Sequence, residues 1–374
     1  MSRLALVLAG GASRGAYEAG VLRFVYGELA QRLGRPPWPD VVSGTSVGAL
    51  NGAFVVARDP DGLAWIANRW RTIEIPQVFD VTYGDLVRSM RAALSDRAFA
   101  VADPTPLRAL VEDHFPTARA RAMIAEHGLT WVVGATDLGT GRHVLFVDRT
   151  TPPDWPARPG VRVVHTQIGP QHALASGALP LLFPPVEIDG VLHVDGGLRQ
   201  NTPLWPVLRD GADRVLVISL KRATQDLARP PQPANLAFLV GKLLNALLLD
   251  PVEMDMLEAE HVNRLIDWGT HRFGQAFATG LEADLGLRRA EILFLTPSED
   301  LGAMAAHIFR TCPPNVHGAA LQLLERAAGR TGPDADLLSY IYFDKAFTGA
   351  IEALGYEDAK RQEEAIVRLV APGG

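Results

Sequence analysis

The sequence predicts an α/β fold, with a mostly parallel sheet covered by helices and a mainly helical C-terminal region. Two observations indicate the sheet. The apolar run Leu4–Leu8 and the β-branched pair Val41-Val42 each lead through a glycine-containing turn into a stretch with helical spacing. Continuous apolar runs of this kind are typical of strands buried on both faces. A third observation indicates the helical region, because most segments beyond Leu301 have helical spacing.

The composition is that of an ordinary globular protein with one large or two modest domains. The 374 residues carry 36 basic and 42 acidic side chains, a net charge of −6, and no basic tract. Nucleic acid is therefore not an expected partner. The single cysteine, Cys312, excludes an internal disulfide. Leu4–Ala9 is too short for a signal-peptide core, and no apolar run reaches the ~18 residues of a membrane span. We expect a protein that is cytoplasmic or peripheral to a membrane.

A glycine-rich loop follows the first predicted strand. It reads Gly10-Gly11-Ala12-Ser13-Arg14-Gly15 and precedes the helical stretch Ala16–Arg32. Backbone amides at such a turn form an anion site, and two anions fit there: a dinucleotide pyrophosphate or the oxyanion of an acyl-transfer reaction. A dinucleotide fingerprint requires glycine where Tyr17 stands and an acidic residue just after the second strand, whereas Asp40 precedes that strand. The sequence therefore favours the oxyanion.

The second predicted strand leads into a nucleophile-elbow pattern. Gly44-Thr45-Ser46-Val47-Gly48 matches G-x-S-x-G and is followed by the helical run Val47–Ala57. A serine on this turn takes a strained backbone conformation that only small neighbours tolerate. Gly44 and Gly48 lack a Cβ, so strand and helix can approach closely around Ser46. The order of strand, turn and helix favours a nucleophilic serine over an ordinary Gly/Ser turn.

The triplet Asp195-Gly196-Gly197 ends another strand-like run, Val191–Val194. An aspartate there lies where α/β folds place their sites, although an Asp-Gly pair on its own more often forms a plain turn. The elbow and the glycine loop in the same chain favour a functional Asp195. Asp137, by contrast, begins a turn-rich connection between two predicted strands, and we expect it to cap its own backbone.

These three motifs, in this order, resemble those of the patatin-like phospholipase family. The likeness covers about the first 220 residues. The matching stretches are Gly10–Gly15, Gly44–Gly48 and Asp195–Gly197, flanked by Gly15-Ala16-Tyr17, Gly20-Val21-Leu22 and Arg199–Pro203. One residue departs from the family pattern. Ala12 stands where the family usually has a third glycine, and a positive φ there would cost about 1 kcal/mol.

The resemblance implies a three-layer α/β/α fold and a Ser-Asp dyad without histidine. Ser46 would be the nucleophile and Asp195 its base. Oxyanion donors would come from Gly10, Gly11, Ala12 and Ser13 or Arg14, and the supporting glycines would be Gly15, Gly44, Gly48, Gly196 and Gly197. No metal or nucleotide cofactor would be required. The expected function is hydrolysis of lipid acyl esters, as a phospholipase A, lysophospholipase or esterase. The alternative is a non-catalytic lipid-binding or scaffold protein on the same fold.

An α/β-hydrolase triad of Ser46, Asp195 and His307 is the competing arrangement. That fold places several strands before its elbow, whereas one strand and one helix precede Ser46 here, so we favour the dyad. His193 lies two residues before Asp195 and shares its strand face. We expect His193 to be a core histidine.

We expect a catalytic core over residues 1–222 and a mainly helical extension over residues 223–374 that contributes one further strand at Glu291–Pro297. Residues 236–249 form an apolar helical run that is too short to span a bilayer. This run fits either a helix packed in the core or a lid that contacts the membrane surface. The spacing also predicts that Asp336–Leu354 is mostly helical.

Overall fold

One sheet of nine strands organises the part of the chain that the computed structural model describes. The described residues are 2–81, 100–221, 251–328 and 335–371, without the side chains of 251–255. The predicted apolar helix at 236–249 lies outside them. The strands are β1 (Leu4–Leu8), β2 (Val41–Thr45), β3 (Thr130–Asp137), β4 (His143–Asp148), β5 (Val161–His165), β6 (Val186–Ile188), β7 (Val191–Asp195), β8 (Arg214–Ile218) and β9 (Glu291–Leu295).

The sheet is mostly parallel, as the sequence predicts. Its main order is β5-β4-β3-β2-β1-β8-β9, with β7 paired to both β3 and β6. β1 is parallel to β2 and β8, β2 to β3, β4 to β5, and β8 to β9. The antiparallel pairs are β3 with β4, β3 with β7, and β6 with β7. The predicted strand at Glu291–Pro297 is confirmed as β9 at the sheet edge, whereas β5 and β6 were not predicted.

Helices connect and cover these strands. Before β3 they are α1 (Gly15–Arg23, continued by a π-helical turn at Phe24–Leu29 and by Ala30–Arg32), α2 (Val47–Val56), α3 (Pro60–Thr72), α4 (Thr105–His114) and α5 (Thr117–His127). Then follow α6 (Pro170–Ser176), α7 (Leu204–Arg209), α8 (Pro251–Phe273) and α9 (Gln275–Leu285). After β9 come α10 (Leu301–Thr311), α11 (Gly318–Ala328), α12 (Asp336–Ile341), α13 (Lys345–Arg361) and α14 (Glu363–Val370).

Helices lie on both faces of the sheet. Alternate residues of a strand point to opposite faces, and in β1 Leu6 and Leu8 join the larger apolar core with residues of α1, α2 and α13. Ala5 and Val7 pack on the other side with Leu204 of α7 and with α8. The three-layer α/β/α arrangement is thereby confirmed. Among the described helices, none combines the length and apolar character needed to cross a bilayer.

The C-terminal helices pack directly on the core. α13 crosses α1 so closely that a Cβ on Gly20 would strike the Glu352 carbonyl oxygen, and the Tyr17 hydroxyl donates a 3.1 Å hydrogen bond to Asp358. The prediction that Asp336–Leu354 is mostly helical is confirmed, with one break between α12 and α13. The chain turns after α12, and α13 starts anew because Asp344 caps it by accepting a 2.9 Å hydrogen bond from the Ala346 amide.

Candidate active site

Strand register brings Ser46 and Asp195 together. β2 pairs with the first part of β3 and ends with Thr45 opposite Gly134. Beyond that point β7 pairs with the same edge of β3, and Asp195 lies opposite Ala135. Ser46 follows Thr45 directly, so the two side chains meet at this edge. The Ser46 hydroxyl donates a hydrogen bond to the Asp195 carboxylate.

Ser46 occupies the strained turn that the elbow pattern predicts. Its backbone has φ 55° and ψ −122°, a conformation that costs about 1–3 kcal/mol and must be held by its surroundings. A Cβ on Gly48 would lie 2.5 Å from the Leu8 carbonyl oxygen, and one on Gly44 would lie 2.5 Å from the Gly48 carbonyl oxygen. The Ser46 amide is held by a 2.7 Å hydrogen bond to Ser176 Oγ.

Asp195 is a buried carboxylate with a perturbed proton affinity. It is 3% exposed and accepts a 2.7 Å hydrogen bond from the Gly197 amide. Burial raises its pKa to about 6, against the lowering effect of the hydrogen bonds from Gly197 and Ser46. A Cβ on Gly196 would collide with the Gly134 carbonyl oxygen, so this tight turn requires glycine. Asp195 is thus a stronger base than an ordinary aspartate and is still mostly ionised at neutral pH.

The amides of the glycine-rich loop are not equally available. The Gly10 amide donates to the Asn201 carbonyl oxygen at 3.0 Å, and the Arg14 amide donates to the Gly11 carbonyl oxygen at 3.0 Å. The Gly11 and Ala12 amides, by contrast, make no hydrogen bond within the described ranges. Ala12 has φ 50°, so the condition for the predicted strain at this alanine is met. Within the described ranges these two amides are therefore available to a bound anion.

The loop touches the elbow. A Cβ on Gly10 would lie 3.2 Å from the Ser46 Cβ, and one on Gly15 would strike the Val47 side chain. Ala12 and Ser46 line the same pocket. Glycines at the two ends of the loop thus let its free amides approach the serine.

The side chains of Ser13 and Arg14 fasten the loop to α12. Ser13 Oγ donates to the Ser339 carbonyl oxygen at 2.7 Å, and Arg14 Nε donates to Ser339 Oγ at 2.8 Å. The Arg14 guanidinium also stacks over the Tyr340 ring at 4.1 Å and lies 3.4 Å from Asp336 Oδ1. A helix more than 300 residues away in sequence therefore holds the loop in place.

An apolar pocket begins at Ser46. Ser46, Leu50 and Phe54 recur at every fourth residue along α2 and form one wall. Residues of α3 and α4 also line the pocket, together with the apolar side chains of Val78, Leu179, Phe183 and Phe343. A cavity with this apolar lining beside Ser46 suits a hydrocarbon chain.

The other residues singled out in the sequence lie apart from this chemistry. His193 is buried against Phe146, with ring centroids 5.4 Å apart, and burial lowers its pKa. His307 is exposed on α10. Asp137 accepts hydrogen bonds from the Gly139 and Thr140 amides at 2.9 and 3.0 Å, as its predicted turn role requires. Within the described ranges no three His, Cys, Asp or Glu side chains cluster as metal ligands would.

Comparison with known proteins decides the family. A sequence model of patatin-like phospholipase matches residues 6–208, more than half of the chain. The chain belongs to the patatin-like phospholipase family. Curated relatives include uncharacterized NTE family proteins of Mycobacterium bovis and Mycobacterium tuberculosis, each 28% identical over 246 residues. The match covers 65% of this chain and 56% of each relative, so the chain spans just over half of their length.

Two solved structures also resemble this patatin-like chain. VipD from Legionella pneumophila has 15% sequence identity and a TM-score of 0.43, over 98% of this chain and 67% of VipD. Human GIVD cytosolic phospholipase A2, in complex with methyl gamma-linolenyl fluorophosphonate, has 13% identity and a TM-score of 0.45, over 99% and 59% of the two chains.

Sequence reasoning missed several supports of this patatin-like site. Ser176 holds the Ser46 amide, and only its position in a small-residue helix marks it in the sequence. Asn201 appears in the stretch that resembles the family, but its task was not predicted. Its Nδ2 donates to the Gly10 carbonyl oxygen at 2.8 Å, which pins the start of the glycine-rich loop. The contacts from α12 have no sequence signal, because that helix lies far from both motifs.

Proposed function

We propose that this protein is a serine lipid acyl hydrolase that uses Ser46 and Asp195 to cleave acyl esters, as a phospholipase A, lysophospholipase or esterase. One observation carries the proposal: the Ser46 hydroxyl is hydrogen-bonded to a buried carboxylate whose pKa is about 6. Within the described ranges the amides of Gly11 and Ala12 make no hydrogen bond, and Ala12 and Ser46 line the same apolar pocket. Membership of the patatin-like phospholipase family supports a lipid substrate.

The chemistry follows from these groups. Ser46 Oγ attacks the ester carbonyl carbon while Asp195 takes the hydroxyl proton, and the resulting oxyanion accepts hydrogen bonds from the Gly11 and Ala12 amides. Asp195 then returns the proton to the leaving alcohol or lysolipid, which leaves an acyl group on Ser46 in the apolar pocket. A water molecule, deprotonated by Asp195, attacks the acyl-enzyme, and the fatty acid departs as Ser46 regains its proton.

The test combines turnover with active-site labelling. We expect the wild-type protein to hydrolyse a p-nitrophenyl acyl ester and to be labelled by a fluorophosphonate at Ser46, as identified by peptide mass spectrometry. Ser46→Ala should abolish both signals, and Asp195→Asn should reduce turnover by about 10²–10⁴. A panel of phospholipids and neutral lipids, analysed by mass spectrometry with Ser46→Ala as the blank, would then define the ester that is cleaved.

Asp137→Asn is the matched control. Asp137 also ends a strand and accepts backbone amides, and asparagine keeps that hydrogen-bonding capacity, so turnover should be unchanged. Wild-type protein that neither turns over esters nor reacts with the fluorophosphonate would refute the hydrolase and favour the lipid-binding or scaffold alternative. Labelling at a serine other than Ser46 would refute the dyad.

A further inference from the structure

The apolar pocket lies between α2 and α3, which run antiparallel to each other. Trp70 Nε1 of α3 donates a 3.0 Å hydrogen bond to Asn51 Oδ1 of α2, and Trp65 packs on Phe54 with ring centroids 5.7 Å apart. Later residues of α2 thus face earlier residues of α3. Asn51 is five residues beyond Ser46, so the part of α3 near Trp70 lies about 7–8 Å along the helix axis from the serine.

Arg69 lies on this wall. It lines the pocket together with Trp65 and Ile66, which are its neighbours on one face of α3 because they lie four and three residues away. The remaining titratable side chain among the described lining residues, His114, stacks on Trp65 and approaches the Leu110 carbonyl oxygen at 3.1 Å. Arg69 is therefore the fixed positive charge of an otherwise apolar surface.

This charge has no counterion within the described ranges. Arg69 Nε is buried and has no hydrogen-bond partner, and no ion pair joins its guanidinium to a described residue. The Nε–H group on this apolar wall therefore loses hydration without recovering it from the protein. A phosphate oxygen would replace that hydration with charge-assisted hydrogen bonds, for which the guanidinium fork is well suited.

We propose that Arg69 is a specificity-determining residue that binds the phosphate of an anionic acyl ester, such as a monoacyl glycerophosphate, whose ester lies at Ser46. In such a lipid only the glycerol backbone separates the ester from the phosphate, a separation compatible with the axial offset of about 7–8 Å between Ser46 and the part of α3 near Trp70. This inference rests on the proposed function for its catalytic part. The affinity of the pocket for an anionic amphiphile does not depend on turnover.

A binding experiment tests the inference separately from hydrolysis. Calorimetry on the Ser46→Ala protein compares octyl phosphate, octyl glucoside and inorganic phosphate. We expect octyl phosphate to bind at least about tenfold more tightly than octyl glucoside, a factor ordinary for one charge-assisted pair. Inorganic phosphate alone should not bind measurably, because the apolar wall contributes nothing to its affinity. Binding of free phosphate as tightly as octyl phosphate would indicate an anion site without a lipid role and would overturn the proposal.

Variants of Arg69 separate charge from packing. Arg69→Met keeps the apolar stem and should abolish the preference for octyl phosphate, whereas Arg69→Lys should keep much of it. Arg69→Gln serves the same purpose if the methionine variant does not fold. Arg71→Met, an exposed arginine on the same helix, is the matched control and should behave like the parent protein. Equal binding of the two octyl compounds, or a preference that survives in Arg69→Met and Arg69→Gln, would overturn the proposal.

A kinetic arm connects the site to the reaction. With Ser46 intact, the ratio of kcat/KM for a monoacyl glycerophosphate to that for a monoacylglycerol should fall about tenfold in Arg69→Met, mainly through KM. An unchanged ratio would contradict the specificity role. If no variant hydrolyses either lipid while the octyl phosphate preference still depends on Arg69, the proposed function fails and the anionic lipid site stands.

Discussion

Replacing Asp195 with asparagine should greatly reduce turnover and, at neutral pH, make the protein more stable. The carboxylate is 3% exposed, and burial is the largest cause of its raised pKa. Asparagine has the same shape and can still accept the 2.7 Å hydrogen bond from the Gly197 amide. The substitution therefore removes the negative charge and the base while it leaves the turn intact.

The magnitude follows from the proton affinity. The pKa of Asp195 rises from 3.8 to about 6 on folding, and a tenfold change in proton affinity corresponds to about 1.4 kcal/mol. Since the folded state binds this proton more tightly, the free energy of unfolding falls as pH rises from about 4 to above 6, by about 3 kcal/mol in total. The Asp195→Asn protein does not lose stability in this way. Its free energy of unfolding should exceed that of the wild type by up to about 3 kcal/mol at pH 8 and match it near pH 4.

Two assays check the two consequences. Urea unfolding followed by circular dichroism at pH 4.5 and pH 8 gives the stability difference and its pH dependence. Ester turnover followed by mass spectrometry should rise with pH through about 6 in the wild type, because Asp195 must be ionised to act as the base. Turnover should be about 10²–10⁴ lower in the variant.

The reasoning fails if Asp195→Asn is less stable than wild type at pH 8, or if the difference does not shrink on acidification. Asp137→Asn provides a control of opposite sign. Hydrogen bonds from the Thr140 side chain and from the Thr140 and Gly139 amides lower the pKa of Asp137. Removing that charge should therefore reduce stability at pH 8, and the reduction should disappear as pH falls through the lowered pKa.

Three further predictions concern the loop and the elbow. Ser339→Ala removes the acceptor of Arg14 Nε and should lower kcat about tenfold to hundredfold with little change in KM, because it loosens the amide donors of the glycine-rich loop rather than the pocket. An unchanged kcat would contradict the role of α12. Ala12→Gly relieves a positive φ of 50° and should raise the free energy of unfolding by about 0.5–1 kcal/mol in urea titrations, so a loss would be contrary to expectation. Gly48→Ala should prevent folding, because its Cβ would lie 2.5 Å from a β1 carbonyl oxygen. The control Gly280→Ala, whose Cβ would have no atom within 4 Å, should not destabilise α9, and soluble yield and circular dichroism distinguish the two variants.

The sequence by itself determined the elements that depend on local patterns. Leu4–Leu8 is apolar at every position and ends at glycines, and β1 has these bounds. The elbow was predictable for the same reason, because a strand, two glycines and a helix start are contiguous around Ser46. The sequence also indicated that a positive φ at Ala12 would be unfavourable, because the family pattern places a glycine there.

Features that were not predicted depend on context. The Asp336–Leu354 stretch is mostly helical as predicted, but the break between Ile341 and Lys345 was not, and it lets α12 reach the glycine-rich loop and α13 cross α1. β5, at the sheet edge, has an intermediate and exposed burial pattern. Its strand pairing is stabilised by β4 rather than by a local apolar signal.

Only the tertiary structure decided how the site is assembled. Ser46 and Asp195 meet because β3 extends past β2 and accepts β7 on the same edge, and this register involves three strands from distant parts of the sequence. The contacts of α12 with Arg14 likewise join separate elements, and so does the packing that places Arg69 beside the pocket. Local propensities act over a few residues, whereas burial, close approach and proton affinity depend on which distant segments pack together.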